Sequence, residues 1–254
     1  MTDSETQPQR WKCTVAYDGT RFAGWQSQAS GDAIQDVLER CLAGIFGREI
    51  RIHGSGRTDS GVHARGQVFH FDADWPHGAA KLLAAFRTWL PPTIQVRMAR
   101  PVAANFHARF SARGKIYDYE IRHGGGGADP FEYPFCWAMP HRLDVAAMRA
   151  AAGRLTGRHD FSAFSARRGE PPEDPVRTLR RLVVNGRGGR LRIAAEGDGF
   201  LYKMVRSLVG ALVSTGLGKL TPDDVAGILK SEERTHHVKT APPQGLCLIK
   251  VLYR

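Results

Sequence analysis

The stretch "HGSGRTDSGVHARGQVFHFD", residues 53–72, places a glycine-rich bend directly before a run that alternates like a β-strand. Gly54, Gly56, Gly61 and Gly66 loosen the first part, while "QVFHFD" at its end has the period of two that a half-buried strand requires. On the bend stands one carboxylate, Asp59, two residues after Arg57. Two readings are open from the residues alone. Gly, Ser and Asp are ordinary turn formers, so Asp59 caps a turn. Alternatively, the glycines let backbone pass close to a substrate, and Asp59 acts as nucleophile or acid–base group with Arg57 or Thr58 orienting what approaches. A phosphate cradle fits neither in spelling nor in chemistry. No Lys follows Gly61, and the residue three after Gly56 is Asp59, whose charge would repel a pyrophosphate.

Working outward, "WKCTVAYDGTRFAGW" (11–25) begins as a strand with Cys13, Val15 and Tyr17 on one face and turns at Asp18-Gly19. "DAIQDVLERCLAGIFG" spaces Ile34, Val37, Leu38, Cys41, Leu42 and Ile45 as one helical face, with Asp32 predicted as N-cap and Gly47 as stop. A second helix is predicted over 78–89, stopped by Pro91-Pro92, and "IQVRMARPV" and "KIYDYEIR" read as strands. After the glycine run at 123–130 come a helix near 144–156 and two strands joined by a turn from Asn185-Gly186 to Gly189. An apolar helix over 199–216, a short helix with Thr221 as N-cap and Pro222 at its first position, and a closing strand "GLCLIKVLY" follow. The pattern predicts an α+β fold of two packed subdomains, each an antiparallel or mixed sheet with helices on one face and a groove between them. Their limits are a disordered tail at 1–10, a first subdomain over 11–122 and a second over 123–254 that completes the site.

The chain has 254 residues, 42% of them hydrophobic, but no run of eighteen apolar residues and no signal-peptide pattern in "MTDSETQPQR". That predicts a cytoplasmic protein with no membrane span. Cys13, Cys41, Cys136 and Cys247 are too scattered for a disulfide framework or a zinc site, and are expected as buried reduced thiols with no metal. The net charge is +11, and it is unevenly placed: residues 1–50 carry 5 basic and 7 acidic side chains, the remainder 31 and 18. An Arg-rich excess of this kind fits a polyanion, most simply nucleic acid, although Arg-favouring codon usage would produce the same composition. Asp59 has no second carboxylate close in sequence, unlike the usual glycosidase pair. A lone Asp still serves if the leaving group is a nucleobase, whose ring delocalises negative charge.

"GRTDSGVHARGQV" resembles the catalytic motif of the tRNA pseudouridine synthase A family. The likeness extends, in the family's order, through "AYDGTRFAGWQ", "AIQDVLE", "FHARFSA", "KIYDYEI", "HDFSAF", "FLYKMVRSLVG" and "APPQGLCL", from about residue 12 to residue 253. The resemblance implies an enzyme that isomerises uridine to pseudouridine in the anticodon stem-loop of tRNA, at positions 38–40, without metal or cofactor, as a homodimer. It assigns catalysis to Asp59. It implies that Tyr117 stacks on the target base and that Arg206 ion-pairs with Asp59 and keeps it charged. Without the family, Tyr117 reads more readily as a strand aromatic packed in the core. Arg206 lies on a helix so apolar that it needs a partner or a route for its head to water. Arg57 and Arg109 are assigned to the RNA. His63 and Gln67 lie within the motif; His63 reads as a structural hydrogen-bonding residue rather than an acid–base group, and the role of His107 stays open between the same two readings. Arg167 and Arg168, in "SARRGEPPEDP", belong to a strap over a tRNA stem or to a plain solvated loop. The chain departs from the family pattern at Ile116, Asp118 and Cys247. An RNA-binding protein without chemistry and an N-glycosidase that leaves an abasic sugar are the rival classes.

Overall fold

A computed structural model describes residues 8–166 and 174–254. Residues 1–7 of the expected tail, and 167–173 with Arg167 and Arg168, lie outside the described residues. The chain divides into two compact units, Met1–Ala112 with Tyr253–Arg254, and Arg113–Leu252. Together the described residues hold ten strands and five α-helices, an α+β fold.

The first unit runs β1 (Arg10–Tyr17), α1 (Ile34–Phe46), β2 (His53–Gly54), β3 (His63–Asp72), α2 (Gly78–Trp89) and β4 (Ile94–Val102). β1 is central, antiparallel to β3 on one side and β4 on the other, and β2 pairs with β3. Cys13 stands opposite Phe69 and Ala99, so the pleat gathers Trp11, Cys13, Val15, Phe69 and Phe71 on one side of the sheet. There they are buried together with Leu38, Leu42, Leu82 and Phe86 of the helices. Phe86 meets Phe69 and Phe71 edge-on, at 6.4 and 6.5 Å. The other side of the same strands carries Arg10, Lys12, His70 and Asp72.

α1 ends as predicted, at Gly47 with φ 67°, a left-handed turn that glycine adopts without steric cost. Its start differs. The N-cap is Ala33, not Asp32, and the carboxylate of Asp36, one turn inside the helix, accepts from the Ala33 amide at 3.1 Å. Asp36 therefore bonds the free N-terminal amide from inside the first turn, in place of the cap expected from Asp32.

The second unit runs β5 (Gly114–His123), β6 (Trp137–Met139), α3 (Val145–Leu155), β7 (Gly157–Asp160), β8 (Val176–Arg187), β9 (Arg190–Gly197), α4 (Met204–Gly216), α5 (Pro222–Ser231) and β10 (Leu246–Leu252). Its antiparallel strands follow the order β10-β5-β9-β8-β7, and β6 adds a parallel pair to β5. Thr221 caps α5 as predicted, accepting from the Asp224 amide. The β8–β9 turn lies at Gly188-Gly189, both with positive φ, so the strands continue past Asn185-Gly186. α4 is shorter than the predicted 199–216. Lys203, at φ 57°, holds a left-handed conformation that residues 199–203 cannot carry into a helix. From Met204 to Gly216, every α4 residue is buried.

All four cysteines are free thiols. Cys13, Cys41 and Cys136 are buried as expected, but Cys247 is only half-buried. Burial pushes the Cys41 thiol up to about 12, which leaves it unreactive at neutral pH.

Candidate active site

The loop between β2 and β3 carries Asp59, and its backbone is fastened on both flanks. Before Asp59, the carbonyl of Thr58 accepts from the Trp25 amide at 3.1 Å, and the Thr58 hydroxyl bonds the Tyr17 hydroxyl at 2.8 Å in a buried setting. Such close approach requires Gly24, at φ 94°; a Cβ there would lie 2.6 Å from the Thr58 carbonyl oxygen. After Asp59, its own carbonyl accepts from the Val62 amide at 3.1 Å, closing a turn with Gly61 at φ 76° in third position. Ser60 adds a bond to the Phe22 carbonyl. Upstream, Gln67 is fully buried and binds Ser55 through its amide oxygen and the Gly56 carbonyl through its nitrogen. The half-buried Asp59 thus sits on a bend whose course is set by side chains remote in sequence.

Arg57 is exposed, and its Nε donates to the Gln26 side chain at 3.0 Å. His63 is buried, and its Nδ1 accepts from the Gly19 amide at 3.1 Å. A nitrogen accepting there has no proton to give Asp18, 3.2 Å away, so that approach is not an ion pair in this tautomer. Both His63 and Gln67 thus bond to backbone or side chains of the loop region. Tyr17 and Gly24, which sequence reasoning left among strand and turn residues, hold the loop of Asp59. The only signal for them was their position in the first family-like block.

In the second unit, Tyr117 lies on β5, 7% exposed, edge-on to Phe200 at 5.3 Å. Alternation puts Tyr117, Tyr119 and Ile121 on one side of β5 and Ile116, Asp118, Glu120 and Arg122 on the other. The departures from the family pattern share that second side, with Asp118 directly opposite Cys247. One oxygen of Asp118 is held by Arg192, and the other is buried without a hydrogen bond. Arg206 is 9% exposed within α4. Its Nε donates to the Ala241 carbonyl at 2.7 Å, and its own carbonyl accepts from the Ala241 amide at 3.0 Å. Segment 239–241 reaches α4 because Gly210 has no side chain; a Cβ there would overlap the Lys239 carbonyl oxygen. Arg234 steadies the same segment through Ser207, Val238 and Thr240. Tyr119 anchors its end, donating to the Pro242 carbonyl at 2.8 Å.

Asp59, Arg57 and Arg109 thus belong to the first unit, and Tyr117 and Arg206 to the second. Arg109 is exposed on the irregular segment after β4, away from the loop of Asp59 in sequence.

The first unit thus offers a half-buried carboxylate on a clamped loop, and the second a buried tyrosine on a strand and a guanidinium on a buried helix. The chain belongs to the tRNA pseudouridine synthase family, whose model matches residues 14–111 and 151–254. Members of that family are isomerases that convert uridine to pseudouridine in tRNA. Among individual relatives, the chain is similar to tRNA pseudouridine synthase A of Solidesulfovibrio magneticus, 44% identical over 96% of this chain and 91% of that protein. It is also similar to the enzyme of the same name from Akkermansia muciniphila, 43% identical over 96% and 95%. The tRNA pseudouridine synthase A 1 of Protochlamydia amoebophila is 39% identical over 96% of each chain.

Proposed function

We propose that this protein isomerises uridine in the anticodon stem-loop of tRNA, at positions 38–40, with Asp59 as its catalytic residue. The observation that carries this reading is the fastening of Thr58 and Gly61 around Asp59, which fixes one carboxylate on an otherwise pliable bend. The carboxylate attacks the ribose C1′ or assists uracil as it departs. The C1′–N1 bond breaks, the base turns and C5 bonds to C1′, displacing the carboxylate where it had attacked; the C5 proton then leaves and N1 takes up one in its place. Uracil carries the electron pair of the broken bond until C5 returns it, so no oxidant or reductant is needed. Tyr117 stacks on the base and Arg206 favours the charged form of Asp59. Arg57 and Arg109 contact the RNA.

A stacked uridine must first be extruded, at a cost of about a few kcal/mol. Phosphate contacts from the basic excess of residues 51–254 offset that cost, and make binding fall steeply with salt. The protein works in the cytoplasm as a homodimer. In the described residues no helix is long and apolar enough to cross a membrane. The test incubates unmodified tRNA transcripts with the enzyme, maps pseudouridine by carbodiimide-dependent reverse-transcription stops and assays free uracil. Stops confined to the anticodon arm are expected. Uracil release without stops would instead mark an N-glycosidase.

A further inference from the structure

The irregular segment after β4, Ala103–Ala112, is held by side chains from the polar side of the first unit's sheet. Arg10, paired with Asp72, donates to the carbonyls of Ala104 and Phe106. His70 Nδ1 accepts from the Ala108 amide at 3.1 Å, and the Tyr253 hydroxyl donates to the Ala108 carbonyl at 2.6 Å. His107 turns back on its own chain, its Nδ1 accepting from the amides of Arg109 and Phe110 at 3.1 and 3.3 Å. Beneath, the Lys12 ammonium lies 3.6 Å from the Tyr253 ring centre. A segment tied at so many backbone groups loses little conformational entropy when something binds to its tip.

That tip presents a ring to solvent. Phe110 is 77% exposed, so burial in the core does not explain it. It lies tilted against His107 with ring centres 4.4 Å apart; His107 is in turn 4.7 Å from His70, edge-on, and 5.5 Å from His53. Burial first, then neighbouring charges, hold His70 down to about 4 and lower His107, so these two rings are uncharged at neutral pH. The Arg109 guanidinium stands 5.7 Å from the Phe110 ring centre. An open aromatic face, backed by a tethered ring cluster and beside a cation, is how unpaired bases are held. Another exposed aromatic segment, at Phe131 and Tyr133, has Glu132 between its rings, paired to Arg122 and Arg190, which suits RNA poorly.

We propose that Phe110, backed by His107 and flanked by Arg109, is a stacking platform for an unpaired nucleotide of the tRNA substrate, outside the catalytic loop. The platform rests on tRNA being the ligand. It contributes affinity and register, not chemistry.

The experiment measures the affinity of one unmodified tRNA transcript for the full chain and its Phe110→Ala, Phe110→Trp and Arg109→Ala variants, from low to moderate salt. Turnover at saturating tRNA is followed in parallel. Phe110→Ala should weaken binding at least about fivefold at every salt concentration, since stacking is worth roughly 1–3 kcal/mol per base. Its salt slope and saturated turnover should match wild type. Phe110→Trp should bind as wild type and show added indole emission that tRNA quenches. Arg109→Ala should reduce the salt slope by about one. Unchanged affinity in Phe110→Ala, with wild type making pseudouridine, would overturn the platform and leave the reaction standing. A wild type that makes no pseudouridine, with Phe110→Ala still losing tRNA affinity, would keep the platform and overturn the reaction. Loss of a dimer in Phe110→Ala, with tRNA affinity per chain unchanged, would assign the ring to a protein contact and overturn the platform.

Discussion

The loop of Asp59 and the helix of Arg206 hold their side chains by opposite means. Asp59 stands on irregular backbone, and its position depends on single polar bonds from Tyr17, Trp25 and Gln67. Arg206 stands on a helix buried over its whole length, and its position depends on close packing of segment 239–241 against Gly210. The difference teaches where each is vulnerable. Deleting one hydroxyl should disturb the first while leaving the fold intact. Adding one methyl should disturb the second by forcing two pieces of backbone apart.

Gly210→Ala should have the largest effect. The new Cβ meets the Lys239 carbonyl, which is backbone and cannot swing aside. The segment must lift from α4, with loss of both Arg206–Ala241 bonds. A stability loss of about 3 kcal/mol in urea unfolding is expected, with turnover at saturating tRNA falling in the same variant. An unchanged unfolding midpoint would mean that α4 does not depend on this packing.

Next comes the pH dependence of the first unit. His70 is neutral when folded, at about 4 against 6.5 unfolded, so the unfolded chain binds the extra proton between those values. Stability should therefore be fully present above pH 6.5 and decline as pH falls toward 4, by at most about 3 kcal/mol from this residue. Urea titrations at pH 7 and 4.5, with wild type and His70→Asn, measure it. Equal slopes in the two proteins would sink the idea.

Tyr17→Phe sharpens the comparison from the other side. It leaves the Thr58 hydroxyl without its Tyr17 partner in a buried place, at a cost of about 1–2 kcal/mol. Turnover should drop about tenfold while the Kd for tRNA stays put; a weakened Kd with normal turnover would assign Tyr17 to binding. Thr221→Ala, remote from both regions, should cost only about 1 kcal/mol through the lost N-cap of α5. Its turnover at saturating tRNA should match wild type.

Elements with strong local chemistry were legible in the sequence. α2 and β4 occupy 78–89 and 94–102 as read, and Thr221-Pro222 starts α5. β2, β6 and β7 were not, because strands of two to four residues are too short to show a period. The first turn of the long apolar helix was misread because Lys203 adopts a conformation that its side chain does not announce. In the site, Asp59 stood out as a carboxylate on a glycine-rich bend. Its supports did not. Tyr17 and Trp25 lie 41 and 33 positions away in the chain, and only the fold brings them to Thr58.

The central claim is that Asp59 performs the reaction and the rest of its loop positions it. Single-turnover assays on an unmodified tRNA transcript with wild type and Asp59→Ala, alongside tRNA binding by both, test it most directly. Pseudouridine is expected from wild type alone, with Kd for tRNA within about threefold of wild type in the variant, because the carboxylate acts chiefly in the transition state. Pseudouridine formed by Asp59→Ala would contradict it and move the catalytic group elsewhere in the chain.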